Sequence, residues 1–428
     1  MFNVKVSKKT VVGIIGLGYV GLPLAVRCSS RYRTIGFDNS PERIAELQRA
    51  EDKSGEVELD QLQGNDNLVF TCDATQLKAC NVLIVTVPTP ITKNNEPDLT
   101  LLQLACETVG SVLQRFSTVI FESTVYPGVS EEVCVPIIER FSGLTLNIDF
   151  WLGYSPERIN PGDREHRLTE VIKVTSGSNK NARQFVDNFY RSIIPAGTHS
   201  ASSIRVAEAA KVIENIQRDI NIALVNEFAL LFEKLDIDTG EVLEAAQTKW
   251  NFLPFRPGLV GGHCIGVDPY YLTYKAREVG FRPDVILAGR KINNAMPSWV
   301  ASRICELLTV QKKQLDQCKV LVLGITFKEN CPDTRNSKTI ELVRELRTRN
   351  LQVDVIDPVA HAGSSELPSD ISLIHSPNTD EYDGLVIAVA HSQFQEAEPE
   401  QILTYGKSDA VVYDIKHILP KSKVTARL

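Results

Sequence analysis

Val11-Val12-Gly13-Ile14-Ile15 is a short apolar run that ends in Gly16-Leu17-Gly18-Tyr19-Val20-Gly21 and opens into helix-like Leu22 to Cys28. A second apolar run then closes on Gly36-Phe37-Asp38. This order constrains the fold more than any other feature. The glycines permit a tight turn and close backbone approach to a ligand, and the helix N-terminus presents partial positive charge to a pyrophosphate. Asp38, about twenty residues beyond the first glycine, stands where a carboxylate binds a ribose 2'-hydroxyl and repels a 2'-phosphate. The segment reads as a dinucleotide site that prefers NAD to NADP, with a plain glycine turn as the alternative.

The alternation continues. Buried-strand candidates follow at Val82 to Val87 and Thr118 to Phe121, separated by helical patterns near 41–50, 99–115 and 129–140, which predicts a parallel, doubly wound sheet. After Thr198 to Ser203, about 30 residues carry helical periodicity without Gly or Pro and predict a long connecting helix. On it Val206, Ala209, Ile213, Ile216, Ile220 and Leu224 form one stripe, with Glu208, Lys211, Asn215 and Arg218 roughly opposite. Beyond a helical region near 285–309, Lys319 to Ile325 restarts a strand, and Leu351 to Ile356, Gly384 to Val389 and Ala410 to Ile415 repeat the pattern, with Thr339 to Arg349 as a helix. The expected fold is α/β: two Rossmann-like doubly wound domains, 1–200 and 306–428, joined by a helical region, 201–305, that contains the long central helix.

The formal net charge is -7, from 46 Lys+Arg and 53 Asp+Glu, and the basic residues are scattered, so neither a nucleic-acid nor a membrane partner is expected. No window approaches the ~18 apolar residues of a membrane span. The nine cysteines (28, 72, 80, 106, 134, 264, 305, 318 and 331) contain no C-x-x-C pair and fit a reducing cytoplasm. Eight of them read as small buried hydrophobes. No metal ion is expected.

The ninth, Cys264, lies in Gly261-Gly262-His263-Cys264-Ile265-Gly266-Val267-Asp268, where flanking backbone can approach a ligand. A nucleophilic thiol, activated by a lowered pKa or a nearby base, stands against an inert buried one. Lys211 and Asn215, four apart, share a helix face. A solvated polar face is the ordinary explanation; the sharper one is a cation and an amide donor aimed at charge developing on oxygen. Pro88-Thr89-Pro90 and Glu122-Ser123-Thr124 follow strands, where ligands of open α/β sheets bind. Phe327-Lys328 and Asp333-Thr334-Arg335 take the matching position after the first strand of the second sheet, where they can meet phosphates. Turn chemistry and surface charge are the ordinary alternatives.

Taken in order, six segments resemble the UDP-glucose/GDP-mannose dehydrogenase family over almost the whole chain. They are Gly16 to Pro23, Val87 to Pro90, Glu122 to Val125, Ala207 to Asn215, Gly261 to Cys264 with Asp268, and Phe327-Lys328 with Asp333 to Arg335. The resemblance implies two successive oxidations of a sugar-nucleotide C6 alcohol, using two NAD and ending in a uronic acid. It makes Cys264 the nucleophile, has Lys211 and Asn215 stabilise oxyanions, has Thr124 and Asp268 organise water and proton transfer, and has Glu157 assist thioester hydrolysis. The implied cofactor contacts are Gly16, Gly18, Tyr19, Val20, Gly21, Asp38, Arg43, Pro88, Thr89, Ser123, Thr124 and Arg335. The implied substrate contacts are Glu157, Arg158, Ile159, Asn160, Lys211, Asn215, Phe255, Arg256, Gly258, Phe327 and Lys328. NAD is expected on the N-terminal sheet, UDP on the C-terminal domain and the sugar at Cys264, in a homodimer built on the central helix.

Departures from the family pattern bear on the sugar. Members acting on UDP-glucose usually carry Asn-Pro-Glu-Phe-Leu-x-Glu-Gly where this chain has Ser155-Pro156-Glu157-Arg158-Ile159-Asn160-Pro161-Gly162, and Val267 replaces a common Lys. Pro-Glu-Arg, Gly-His-Cys and the run Lys249 to Gly258 instead resemble the branch that oxidises UDP-N-acetylhexosamines for surface polysaccharides. Arg158 and Arg256 become candidates for the diphosphate or the acetamido group. UDP-N-acetylglucosamine or UDP-N-acetylgalactosamine is the expected substrate, and UDP-glucose the alternative. A two-electron hydroxyacid dehydrogenase would release one NADH per substrate, and a non-catalytic NAD- or sugar-nucleotide-binding module would release none.

Overall fold

The computed structural model describes residues 7, 9–53, 55–158, 167–262, 265–360 and 367–428. The chain forms two compact units, residues 1–214 with 270–281, and residues 215–269 with 282–428.

In the first unit eight strands lie in the order β3-β2-β1-β4-β5-β6-β7-β8. They are β1 Val11–Ile15, β2 Arg33–Phe37, β3 Leu68–Thr71, β4 Val82–Val85, β5 Thr118–Phe121, β6 Trp151–Tyr154, β7 Lys173–Gly177 and β8 Thr198–Ser200. Pairing is parallel from β3 to β6 and again between β7 and β8, with one antiparallel pair, β6 and β7. The helices are α1 Gly21–Ser29, α2 Pro41–Gln48, α3 Leu59–Leu62, α4 Thr100–Val112, α5 Val135–Ser142 and α6 Lys180–Ile193. Central strands such as β4 are apolar at every position because helices cover both faces of the sheet, so no alternation survives in their sequence. Local signals set the helix starts: Ser40 caps α2 with Pro41 next, and Asn179 accepts from Ala182 N at the head of α6.

The second unit repeats the plan with five parallel strands in the order β10-β9-β11-β12-β13: β9 Lys319–Leu323, β10 Gln352–Ile356, β11 Tyr382–Ile387, β12 Gly406–Asp414 and β13 Ala426–Arg427. Its helices include α8 Thr239–Gln247, α10 Asp284–Val310, α11 Lys338–Thr348 and the short α12 Ser392–Gln395 and α13 Pro399–Leu403. Ser337 caps α11, and the apolar faces of α10 and α11 close one side of the sheet. Helix α7, Ile204–Lys234, runs 31 residues, and the unit boundary falls inside it between Glu214 and Asn215. A second helix, α9 Asp268–Glu278, starts in one unit and ends in the other.

The ordinary reading of the α7 polar face as solvated does not hold, and the cysteine expectation is corrected at one position. Val206, Ile213 and Leu224 of the apolar stripe on α7 are exposed, at 49%, 53% and 46%, while Glu208, Lys211 and Asn215 opposite are buried. The polar face is buried because partners distant in sequence satisfy it. Glu208 accepts from Gly128 N (2.6 Å) and Ser130 N (3.0 Å) in the first unit. In the second, the Asn226 side chain takes both Gly258 backbone groups (2.8 and 3.0 Å), and Arg290 and Asn293 bond Asp219 (2.6 and 2.7 Å). Arg218, grouped with that polar face, is exposed. The cysteine expectation fails at Cys72, which is exposed just after the short strand β3; the other seven described cysteines are buried.

Candidate active site

The dinucleotide turn has the conformation its glycines imply. Gly16 adopts φ +94°, a region that side-chain-bearing residues rarely enter, and a Cβ on Gly21 would stand 1.8 Å from Gly16 O. Gly18 has no neighbour within 4 Å of its would-be Cβ, so backbone lies open to a ligand there. Asp38, just past β2, accepts from Leu17 N (2.8 Å) and Ser40 N (3.0 Å), one bond to each oxygen, leaving lone pairs for a ribose hydroxyl. This cradle fits an adenine dinucleotide's pyrophosphate and ribose. Tyr19 is half-buried and Val20 buried beside it. Arg43 lies under the turn, with its guanidinium on Leu17 O (3.0 Å), Glu46 (2.5 Å) and Asp52 (2.9 Å).

Loops after β4 and β5 complete this edge of the sheet. Thr89 Oγ1 donates to Thr124 O and Ser123 Oγ to Val87 O, both at 2.6 Å, so the two loops are stitched together. Tyr271 Oη donates to Thr89 O (2.6 Å). Pro88 is exposed, and Thr124 half-buried.

Beyond β6, Ser155-Pro156-Glu157-Arg158 is tied to the neighbouring edge. Glu157 is buried and accepts from Arg158 N (2.6 Å). Arg158 pairs with Glu214 (2.9 Å) and donates to Ile172 O (2.9 Å). Lys211 is 7% exposed, and no ion pair to it occurs among the described residues. A buried ammonium without a carboxylate is costly unless a ligand supplies the compensating charge.

In the second unit Asn215 Nδ2 donates to Asp268 Oδ2 (2.5 Å), and Arg218 donates to Asn215 Oδ1 (3.0 Å). The amide is thereby oriented, with one N–H left over. Cys264, Ile159 and Asn160 lie outside the described residues. Of the two glycines ahead of residue 263, a Cβ on Gly261 would meet Asn336 O at 2.5 Å, and one on Gly262, φ +86°, would meet the Phe327 ring at 2.6 Å. Only glycines allow this segment against that loop. Phe327 and Lys328 line a recess with Glu329, Lys338, Thr339 and Lys416; Lys416 is paired with Glu329 and Lys338 with Glu341, both at 2.6 Å. Arg335 forks onto Asp333 (2.5 to 3.0 Å). Phe255 is half-buried, Arg256 exposed and Gly258 buried.

Sequence reasoning missed Lys173 and Tyr190 in the first unit and Asp219, Asn226, Arg290 and Asn293 in the second. A usable signal existed for some: Lys173 interrupts the apolar Val171-Ile172-Lys173-Val174, and Asp219 and Asn226 continue the helical spacing of Lys211 and Asn215. No helix among the described residues is long and apolar enough to cross a membrane, and no cluster among them could hold a metal ion.

Three models of the UDP-glucose/GDP-mannose dehydrogenase family match in sequence: the NAD binding domain at residues 10–194, the central domain at 205–295 and the UDP binding domain at 321–421. The chain is 53% identical to a UDP-N-acetyl-D-glucosamine 6-dehydrogenase of Pseudomonas aeruginosa, over 98% of this chain and 100% of that one. It is 50% identical to the Salmonella typhi enzyme of the same name, over 97% and 98%. Among solved structures it resembles a UDP-D-ManNAc dehydrogenase from Pyrococcus horikoshii, with TM-score 0.87 and 30% identity over 98% of both chains.

Proposed function

Because the chain belongs to the UDP-glucose/GDP-mannose dehydrogenase family through all three of its domains, we propose that it oxidises UDP-N-acetyl-D-glucosamine at C6 to the uronic acid through a thioester on Cys264. The observation that carries this reading is the polar face of α7, where Lys211 and Asn215 stand one turn apart, both buried, with Asn215 held by Asp268. A helix face meant only for a core would not bury an ammonium that has no ion pair among the described residues. The sugar is argued from the two relatives at 53% and 50% identity that bear that substrate in their names; UDP-N-acetylgalactosamine differs by one hydroxyl's direction.

When bound, NAD supplies the hydride acceptor for both oxidations, alcohol to aldehyde and thiohemiacetal to thioester. The Gly16 to Gly21 turn holds the pyrophosphate, Asp38 the ribose, and the stitched Pro88-Thr89 and Ser123-Thr124 loops border the ring. Cys264 adds its Sγ to the aldehyde carbon, which creates the oxidisable C–O(-) centre that a free aldehyde lacks. Lys211 and the spare Asn215 N–H stabilise the negative charge on that oxygen. Asp268 fixes the Asn215 amide, Thr124 orders water, and Glu157 takes the proton of the water that releases the acid. Phe327 and Lys328 take the UDP end, and Arg158 and Arg256 supply cations for the diphosphate or the acetamido group.

The protein is proposed to be a homodimer in the cytoplasm. Exposed Leu224 and Leu231 on α7 and Leu235 just past its end, with Val285 and Leu287 on α10, support the dimer. Initial rates of NADH formation on UDP-GlcNAc, UDP-GalNAc, UDP-ManNAc and UDP-glucose test the substrate. UDP-GlcNAc is expected to give the highest kcat/KM. Preference for UDP-glucose would overturn the sugar, and no NADH from any of the four would overturn the enzyme.

A further inference from the structure

Ionisable groups gather in the first unit at the ends of β5 and β6 and the start of β7. Lys173 is 2% exposed, and its Nζ donates to Glu122 Oε2 (2.6 Å) and to Pro156 O (3.0 Å). It lies 3.8 Å from Glu157 Oε2 and 5.4 Å from the centre of the Tyr190 ring. Tyr190 donates its hydroxyl hydrogen to the other Glu122 oxygen. Cys28, buried on α1, faces the same charges.

Two features give this cluster a purpose beyond holding the fold. One is its cost: taking an ammonium and a carboxylate out of water often offsets their attraction, and apolar residues of the same size pack as well or better. Two carboxylates around one ammonium also leave an excess negative charge. Burial pushes the Glu122 carboxyl up to about 6, Lys173 opposes that rise, and Glu157 adds to it.

The other feature is what the cluster touches. Residues 155–158 are tied to β7 and the residue before it at three successive points: Ser155 Oγ on Val174 O (2.7 Å), Lys173 Nζ on Pro156 O, and Arg158 on Ile172 O (2.9 Å). The middle tie comes from a side chain that also faces the Glu157 carboxylate. Pro156 has no N–H of its own to anchor that peptide. Without Lys173, the carbonyl directly before Glu157 loses its buried donor.

We propose that Lys173 is a positioning residue for the hydrolytic half of the reaction, its ammonium held by Glu122 so that it fixes the backbone and the carboxylate of Glu157. The inference rests on the hydrolytic role given to Glu157 above. In that step the water oxygen bonds to the thioester carbon, a water proton passes to the Glu157 carboxylate, and the C–S electron pair returns to Cys264 Sγ as the bond breaks. Lys173 touches none of the reacting atoms; it sets where the proton acceptor stands. A misplacement on the order of 1 Å costs about 10²-fold in rate, and it falls on hydrolysis rather than on aldehyde formation.

The full-length enzyme is mixed with NAD and the best UDP-sugar of the panel above, quenched on the millisecond scale, and weighed by intact-protein mass spectrometry. Lys173→Met is expected to accumulate the acyl adduct on Cys264 and to lower kcat about 10²-fold with KM for NAD unchanged. Lys173→Arg restores most of the rate. Glu157→Gln is run beside them and accumulates the same adduct. If Glu157→Gln accumulates adduct and Lys173→Met does not, the positioning role is wrong and the hydrolytic reading stands. If Glu157→Gln accumulates none, that reading fails and the inference with it. Should Lys173→Met not fold, the double variant E122Q/K173M, which removes the Glu122 charge together with the ammonium, is judged by the same adduct.

Discussion

Gly21→Ala places one methyl group where the backbone of the dinucleotide turn already lies. The new Cβ would stand 1.8 Å from Gly16 O and 2.5 Å from Thr86 Oγ1, and Thr86 itself donates to Gly16 O at 2.7 Å. Relaxing the first contact to an ordinary 3.4 Å needs a shift of about 1.6 Å, and neither obstacle is the free end of a flexible side chain. The first turn of α1 must withdraw from the turn that receives the pyrophosphate. A shift of that order costs about 10²-fold, or ~2.7 kcal/mol of transition-state stabilisation. The assay is NADH formation with NAD varied at saturating sugar, together with NAD binding followed by tryptophan fluorescence. Gly18→Ala is the companion: its Cβ would meet no protein atom within 4 Å, so its melting temperature stays at the wild-type value while NAD affinity falls. A Gly21→Ala enzyme with kcat/KM for NAD within about threefold of wild type would refute the reasoning, since the displacement implies a loss of about 10²-fold.

Asn226→Ala orphans the N–H and C=O of Gly258 and the accepting Oδ1 of Asn293; at ~1 kcal/mol each it should destabilise by roughly 3 kcal/mol in urea unfolding, and a loss under about 1 kcal/mol would contradict the network. Glu122 has a carboxyl raised by burial to about 6 from an ordinary 4.5, so its contribution is fully present below the unfolded value and is lost as pH rises through about 6. Wild-type thermal stability should therefore fall relative to Glu122→Gln across that window; a constant difference would show that the group does not titrate there. Leu231→Glu, on the exposed stripe of α7, should convert the dimer to monomer in sedimentation analysis, and an unchanged dimer would place the interface elsewhere.

Much of the first unit was legible because its signals are local. The turn after β1 and Asp38 after β2 sit within one short segment, and the helix-and-strand alternation fixed a parallel sheet. The edge was not legible: β6 and β7 carry Gly153, Lys173, Thr175 and Ser176, which break an apolar run, and their side chains are satisfied by groups remote in sequence such as Glu122 and Asp187. Which face of α7 is buried was not legible for the same reason. The spacing separates an apolar stripe from a polar face, but Asp219 and Asn226 are buried because Arg290, Asn293 and Gly258 arrive from far along the chain. Lys211 and Asn215 were found by spacing, with an oxyanion role as one of two readings, and the family resemblance chose between them, as it did for the thiol of Cys264.

Counting NADH against sugar tests the covalent four-electron route most directly. With UDP-GlcNAc limiting and NAD in excess, the account predicts two NADH per sugar consumed and a C6 carboxylate as product, with Cys264→Ala forming no acid while still binding NAD. One NADH per sugar with free aldehyde as the end product, or full acid formation by Cys264→Ala, would contradict it.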